Sequence, residues 1–294
     1  MIKKLLRKHV FRNPLIRSLI SISYGFLIWL QLSFERLADR FSGVPGDELD
    51  YSKVTAVIKT FERGKKLSRL VKSIRRTFPS LKIIVVDDSR HPTQMTGSNI
   101  QTIHLPFDSG VSAGRQIGLD SVNTPYMINL DDDYIFSRKT RLGRAIEYLE
   151  KNSNVDLVAG EVIYLPFYKR LNYWKNSLIS YSEKPLYEKG TMIDGLIVYE
   201  KCSNFFIGRT ESIRRVGWDE HLKRLDHADF YTRARGKITC VFDRDIALFH
   251  DQTHFDPSYL SYRHEYSQDA LVLNKKYPNQ SSKMKIATTL KNLD

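Results

Sequence analysis

Three adjacent carboxylates, Asp131-Asp132-Asp133, end a short apolar approach, Tyr126-Met127-Ile128-Asn129-Leu130, and are followed by Tyr134-Ile135-Phe136. The pattern predicts a buried strand that runs out into an acidic turn. Like charges this close repel, so the trio is costly without a counter-charge. A divalent cation removes the cost, and hard oxygen ligands suit Mg²⁺ or Mn²⁺. An ion held there would clamp a diphosphate. A solvated acidic loop is the plainer alternative, and the triplet alone does not separate the two. Ser112-Ala113-Gly114-Arg115 opens a helix whose first amides and Arg115 would suit a phosphate. Simple capping, with Arg115 in an ion pair, stays open beside it.

The elements that must carry these groups are legible around them. Residues 54–60 form an apolar strand, and Gly64 breaks it. Leu67, Leu70, Val71, Ile74 and Phe78 then recur at helical spacing, and Pro79 ends the helix. Residues 81–86 are almost uninterruptedly apolar, as a parallel strand buried on both faces requires. Strand, helix, strand makes a right-handed crossover. Ligands in such sheets bind beyond the carboxyl ends of the strands. Lys59-Thr60, Asp87-Asp88-Ser89 and Asp131-Asp132-Asp133 all fall at such ends, and their coincidence is the main signal. Further along, residues 100–105 predict a strand, 141–151 a helix and 155–164 a strand pair. Residues 166–189 are aromatic and basic, either an acceptor-side loop or a surface subdomain. Residues 194–199, 203–207 and 238–242, with a helix over 211–216, complete an α/β fold with a mixed sheet.

The net charge of +13 over 294 residues suits an anionic partner. Cys202 and Cys240 are too few for a disulfide framework and read as reduced thiols in the core. Residues 1–17 are basic, and an apolar run from Ser18 to Phe34, interrupted by Ser and Gln, is about as long as the shortest spanning helix. No small-residue cleavage site follows it. A segment lying in the membrane interface is preferred to a span, with Tyr24 and Trp29 at headgroup depth. The expected organisation is a membrane-associating segment and linker over 1–50, a folded domain over 51–274, and a polar basic tail over 275–294. The expected location is the cytoplasmic face of a membrane. The alternative is the Golgi lumen behind a signal anchor.

With these residues assembled, the chain resembles nucleotide-sugar glycosyltransferases of the GT-A fold. Within them it resembles the animal β-1,4-N-acetylgalactosaminyltransferases that build gangliosides and the Sd(a) antigen. The carrying stretches are residues 57–63, 70–76, Asp87-Asp88-Ser89, Ala113-Gly114-Arg115, 131–136, 204–210 and Val216-Gly217-Trp218-Asp219. The resemblance implies a Rossmann-like mixed sheet flanked by helices, and metal-dependent inverting transfer from a UDP-sugar to a glycan or glycolipid acceptor. The sugar would be GalNAc or another HexNAc. Thr60 and Arg63 would line the nucleotide pocket, and Asp88 would meet the uracil. Arg115 would approach the diphosphate or base. Asp131 would reach the ribose, with Asp132 beside it. Asp133, with Asp131 and a late histidine, His250, would ligate Mn²⁺ or Mg²⁺.

Inverting transfer also needs a base for the acceptor hydroxyl. The expected acidic loop is here Leu225-Asp226-His227-Ala228-Asp229-Phe230, with His227 where an aspartate is usual. Asp226, His227 and Asp229 are the candidates, His227 with Asp229 being the expected pair. Helix capping is the structural alternative. Two rival functions remain. A nucleotidyltransferase needs a Gly-rich basic loop after the first strand, which Gly64-Lys65-Lys66 only faintly echoes. A nucleic-acid binder would use the charge, but no binding module is recognisable and no nucleic-acid partner is expected.

Overall fold

The computed structural model describes residues 13–41, 49–252, 254–264 and 266–278, with residues 39 and 40 described by their backbone. The basic stretch before residue 13, most of the expected linker and the expected tail beyond residue 278 lie outside them.

Alternation within β1 (Val54–Thr60) decides the layering. Val54, Ala56 and Ile58 face one core, shared with Leu67, Leu70 and Ile74 of α2 (Gly64–Thr77) and Leu142 and Leu149 of α4 (Leu142–Lys151). Val57 faces the other, with Leu119 of α3 (Val111–Asp120), Ile213 of α5 (Thr210–Val216) and Phe230 of α6 (Asp226–Ala234). A strand buried on both faces has no polar side to offer water, hence the apolar run Ala56-Val57-Ile58 at its centre.

The remaining strands are β2 (Lys82–Asp87), β3 (Ile100–His104), β4 (Tyr126–Asp131), β5 (Tyr134–Ile135), β6 (Leu157–Tyr164), β7 (Lys169–Arg170), β8 (Met192–Ile193), β9 (Leu196–Val198), β10 (Phe206–Arg209) and β11 (Cys240–His250). They join β1 in one sheet, ordered β3-β2-β1-β4-β10-β6-β11-β9-β8, with β5 against β11 and β7 against β6. β1, β2, β3 and β4 are mutually parallel, and Lys59 lies opposite both Val86 and Asp131. β10 runs against β4 and β6, while β6 and β11 are parallel. Two reversals restore direction, so β11 ends at the same edge as β4. There His250 pairs with Tyr134, directly after the acidic trio.

Residues 155–164, expected as a strand pair, hold one strand. Its eight residues are nearly all buried, and its antiparallel partner β7 lies beyond a turn. The short β8–β9 hairpin turns through Asp194 (φ 42°) and Gly195 (φ 85°), the left-handed pair that a two-residue hairpin requires. Helix α8 (Ser267–Lys276), preceded by α7 (Pro257–Arg263), runs past the expected domain end at 274. Both cysteines are free and buried.

The apolar N-terminal run is longer than expected. Helix α1 spans Pro14–Phe41, and Pro14–Ala38 is long and apolar enough to cross a membrane by length and composition. One stripe of it meets the folded body. The Tyr24 hydroxyl donates to the Leu165 carbonyl (3.0 Å), and Ile28 packs with Ile135, Ile163 and Phe249. Glu35 pairs with Lys139 (2.9 Å).

Candidate active site

The carboxyl edge of the sheet gathers most of the expected residues. Asp132 and Asp133, buried in the turn after β4, face one guanidinium. Arg63, in the loop between β1 and α2, ion-pairs with Asp132 and donates to Asp133 Oδ2 (2.7 Å). Thr60, the last residue of β1, donates to Asp132 Oδ2 (2.7 Å). The tight β1–α2 loop passes through Glu62 at φ 55°, a left-handed conformation that costs energy in a non-glycine residue. Tyr259 of α7 closes the far side, its ring 4.3 Å from the Arg63 guanidinium.

His250 Nε2 lies 3.1 Å from Asp133 Oδ2, between the rings of Tyr134 and Tyr164. Burial alone would raise the Asp133 pKa, but Arg63 and then His250 outweigh it and hold the carboxylate well below its ordinary range. Asp132 goes the other way, because burial and the neighbouring Asp133 charge exceed what Arg63 returns.

A second arginine bridge lies beside the first. Arg115, wholly buried in α3, pairs with both Asp131 and Asp226. The sequence left capping with an ion pair open for Arg115. The bridge found is internal and joins β4 to α6. Asp131 is therefore turned to Arg115. Asp226 is raised, chiefly by burial, with Arg115 opposing.

Asp88 is also engaged internally. It pairs with Lys59, accepts from the Gly110 amide (2.8 Å) and so ties β1 and β2 to the loop before α3. Gly110 (φ 102°) has no room for a side chain, since a Cβ would lie 2.8 Å from the Lys223 backbone. His227 Nε2 meets the Cys202 carbonyl (2.8 Å). That acceptor fixes the proton on Nε2 and leaves Nδ1 as the basic atom. Burial, followed by the Lys201 charge, pushes His227 well below the usual histidine range.

Asp229 is not brought to this edge. Its oxygens accept from Arg233 (2.7 Å) and Tyr277 (2.8 Å) and pair with Lys276 (2.8 Å), fastening α8 to α6. The expected pair of His227 with Asp229 does not meet: His227 engages the Cys202 carbonyl, and Asp229 engages Arg233, Tyr277 and Lys276.

An ion fits this edge as a guest of two side chains. Among the described residues no group of three or more His, Cys, Asp or Glu converges to hold a metal unaided. Asp133 and His250 nonetheless present a carboxylate and an imidazole side by side. Around them Arg63 Nε and His250 Nδ1 are buried without hydrogen-bond partners, as is Arg115 Nε in the neighbouring bridge. Orphaned polar atoms in one place mark a site built for something further. Mg²⁺-type ions commonly take one or two carboxylates and complete their shell with phosphate and water.

Residues 55–217 match the profile of glycosyl transferase family 2. The chain belongs to that family. It is 34% identical over 187 residues to beta-1,4 N-acetylgalactosaminyltransferase 2 of Mus musculus, covering 63% of this chain and 36% of the relative. It is 31% identical over 206 residues to beta-1,4 N-acetylgalactosaminyltransferase 1 of Homo sapiens, covering 67% and 38%. The chain thus spans little more than a third of the length of these relatives. In fold it is similar to S. aureus TarS 1-349 in complex with UDP-GlcNAc, with a TM-score of 0.56 and 15% identity over 78% of this chain and 67% of that one.

This edge also holds residues that sequence reasoning missed. Lys201 is lowered to about 8 by burial, partly offset by Asp226. Asp251 follows His250 and holds Lys66 (2.7 Å) and Arg69. Tyr164 packs on His250 and Tyr259 on Arg63. Lys201 and Tyr259 lie in segments with no strand or acidic signature. Asp251 was visible as the neighbour of His250, and the basic partners on α2 were the missing half.

Proposed function

We propose that this chain is a metal-dependent inverting glycosyltransferase, moving GalNAc or another HexNAc from a UDP-sugar to a glycan or lipid-linked acceptor. One observation carries it. β1, β2, β4 and β11 deliver Thr60, Asp88, the acidic trio and His250 to one sheet edge, where the buried Arg115 and the largely covered Arg63 stand among carboxylates. The names of the relatives, and the UDP-GlcNAc bound by TarS, support the donor class.

Asp133 and His250 would hold Mn²⁺ or Mg²⁺, which as a Lewis acid stabilises the charge growing on the departing diphosphate. Thr60 and Arg63 border the nucleotide, and Asp88 braces the pocket floor through Lys59 and Gly110. Asp131 faces the ribose once Arg115 turns from it to the diphosphate. The acceptor hydroxyl oxygen bonds to the anomeric carbon as the carbon–oxygen bond to UDP breaks. Its proton passes to Asp226 or to Nδ1 of His227. Raised carboxylate basicity favours Asp226. Asp229 anchors the fold behind them.

The body side of α1 is held at Tyr24, Ile28 and Glu35, leaving residues 14–23 clear of those contacts. A span needs roughly 20 apolar residues in the hydrocarbon. We place the protein at the cytoplasmic face of a membrane, peripheral or short-anchored through α1, as part of this proposal. Purified full-length protein with a panel of UDP-, GDP- and CMP-sugars tests the activity. UDP-HexNAc turnover should need Mn²⁺ or Mg²⁺, and Asp133→Ala should reduce it about 100-fold or more. Undiminished transfer in excess EDTA would sink the metal-dependent reading.

A further inference from the structure

A cavity of about 900 Å³ separates α1 from α2 and the turn after β5. That volume lies within the range of small-molecule sites, roughly 300–1,000 Å³. Its two walls differ in kind. Ile28, Trp29 and Leu32 of α1 make an apolar side. Arg69, Lys72 and Arg76 of α2 make a basic one, because residues three, four and seven apart share a helix face.

The acids that reach the cavity, Glu35 and Asp251, are already paired, with Lys139 and with Lys66 and Arg69. Arg36 folds back onto its own helix, its Nε donating to the Leu32 carbonyl (2.9 Å). Lys72 and Arg76 are exposed and have no ion-pair partner among the described residues. The wall therefore carries surplus positive charge opposite an apolar helix.

We propose that this cavity binds an anionic membrane phospholipid, one whose phosphate headgroup carries net negative charge. The headgroup sits between Lys72 and Arg76, and the hydrocarbon chain lies along Ile28, Trp29 and Leu32. Charge complementarity selects the anion, and the apolar wall selects an amphiphile over a nucleic acid or a soluble phosphate. The exposed apolar side chains Leu19, Ile22 and Phe26 continue along α1 from the cavity, giving the chain a path toward a bilayer. The inference deepens the proposed membrane association and rests on it. Asp251, which follows His250 in sequence, lines the cavity, so the lipid would lie beside the transfer site.

The test uses full-length protein in neutral detergent micelles, where no bilayer is needed, without donor and in EDTA. Native mass spectrometry should detect retained phosphatidic acid but not phosphatidylcholine. Lys72→Ala with Arg76→Ala should weaken retention about 30-fold, as two surface charges predict. Lys72→Arg with Arg76→Lys should restore it. Lys82→Ala with Lys237→Ala removes the same charge elsewhere and should change nothing. Equal loss in that control would reduce the effect to net charge and overturn the site. Equal retention of phosphatidylcholine, or displacement by inorganic phosphate alone, would overturn it too. Retention in micelles by protein that ignores vesicles would support the cavity and count against the membrane association.

Discussion

At the scale of single residues, the edge is governed by who neutralises whom. Lys201 illustrates it: burial lowers its pKa to about 8, with Asp226 nearby as the partial offset. Its cation is therefore present at pH 7 and lost as pH rises through about 8. With the cation gone, Asp226 and the diphosphate lose a nearby positive charge. We expect kcat/KM to fall above about pH 8, and Lys201→Arg to move that limb upward, because a guanidinium stays charged. An unmoved limb in a pH–rate profile would remove Lys201 from the chemistry. The trio and Arg115 were legible because strand ends, an acidic turn and a helix start announce themselves in sequence, whereas Asp226 and His250 came from the family resemblance. The two arginine bridges were not, since nothing in one stretch tells Arg63 or Arg115 which distant carboxylate it will meet. Asp229 misled for the same reason. Its neighbours Lys276 and Tyr277 arrive from a helix some fifty positions away.

At the scale of elements, β6 and β11 form the most extended pairing in the sheet, with a register shift between Asp243 and Ala247. Gly160 of β6 sits against that irregularity. A Cβ there would lie 2.4 Å from the Phe205 ring and 2.6 Å from the Ile246 carbonyl oxygen. The carbonyl is backbone, so β11 itself must move. Gly160→Ala should destabilise the fold by about 1–3 kcal/mol, read as a lower urea midpoint. It should also reduce turnover, because β11 carries His250 to the edge. A variant with unchanged midpoint would show that β11 yields freely. The first crossover was readable from its apolar runs alone. The central strand β6 was misread as two, because an eight-residue apolar stretch containing a glycine resembles two short strands and a turn.

At the scale of the whole molecule, the proposed membrane association assigns a joint role to the positive charge and α1. Truncating the protein before residue 42 should abolish binding to anionic vesicles, and for the intact chain that binding should weaken as salt shortens the screening length to about 3 Å at 1 M. Co-sedimentation measures both, and salt-independent binding by the truncated form would exclude α1 as the attachment. The apolar run was visible in sequence, but its full helical length and its stripe of contacts with the body were not. Those contacts depend on Leu165, Phe249 and Lys139, which no local pattern links to it. One detail of the acidic turn reaches furthest. By bridging Asp132 and Asp133, Arg63 serves as a built-in counter-ion. The two carboxylates thus carry a counter-charge supplied by the chain itself. On the metal-dependent reading proposed above, a cation would have to compete with this tethered guanidinium for the Asp133 carboxylate.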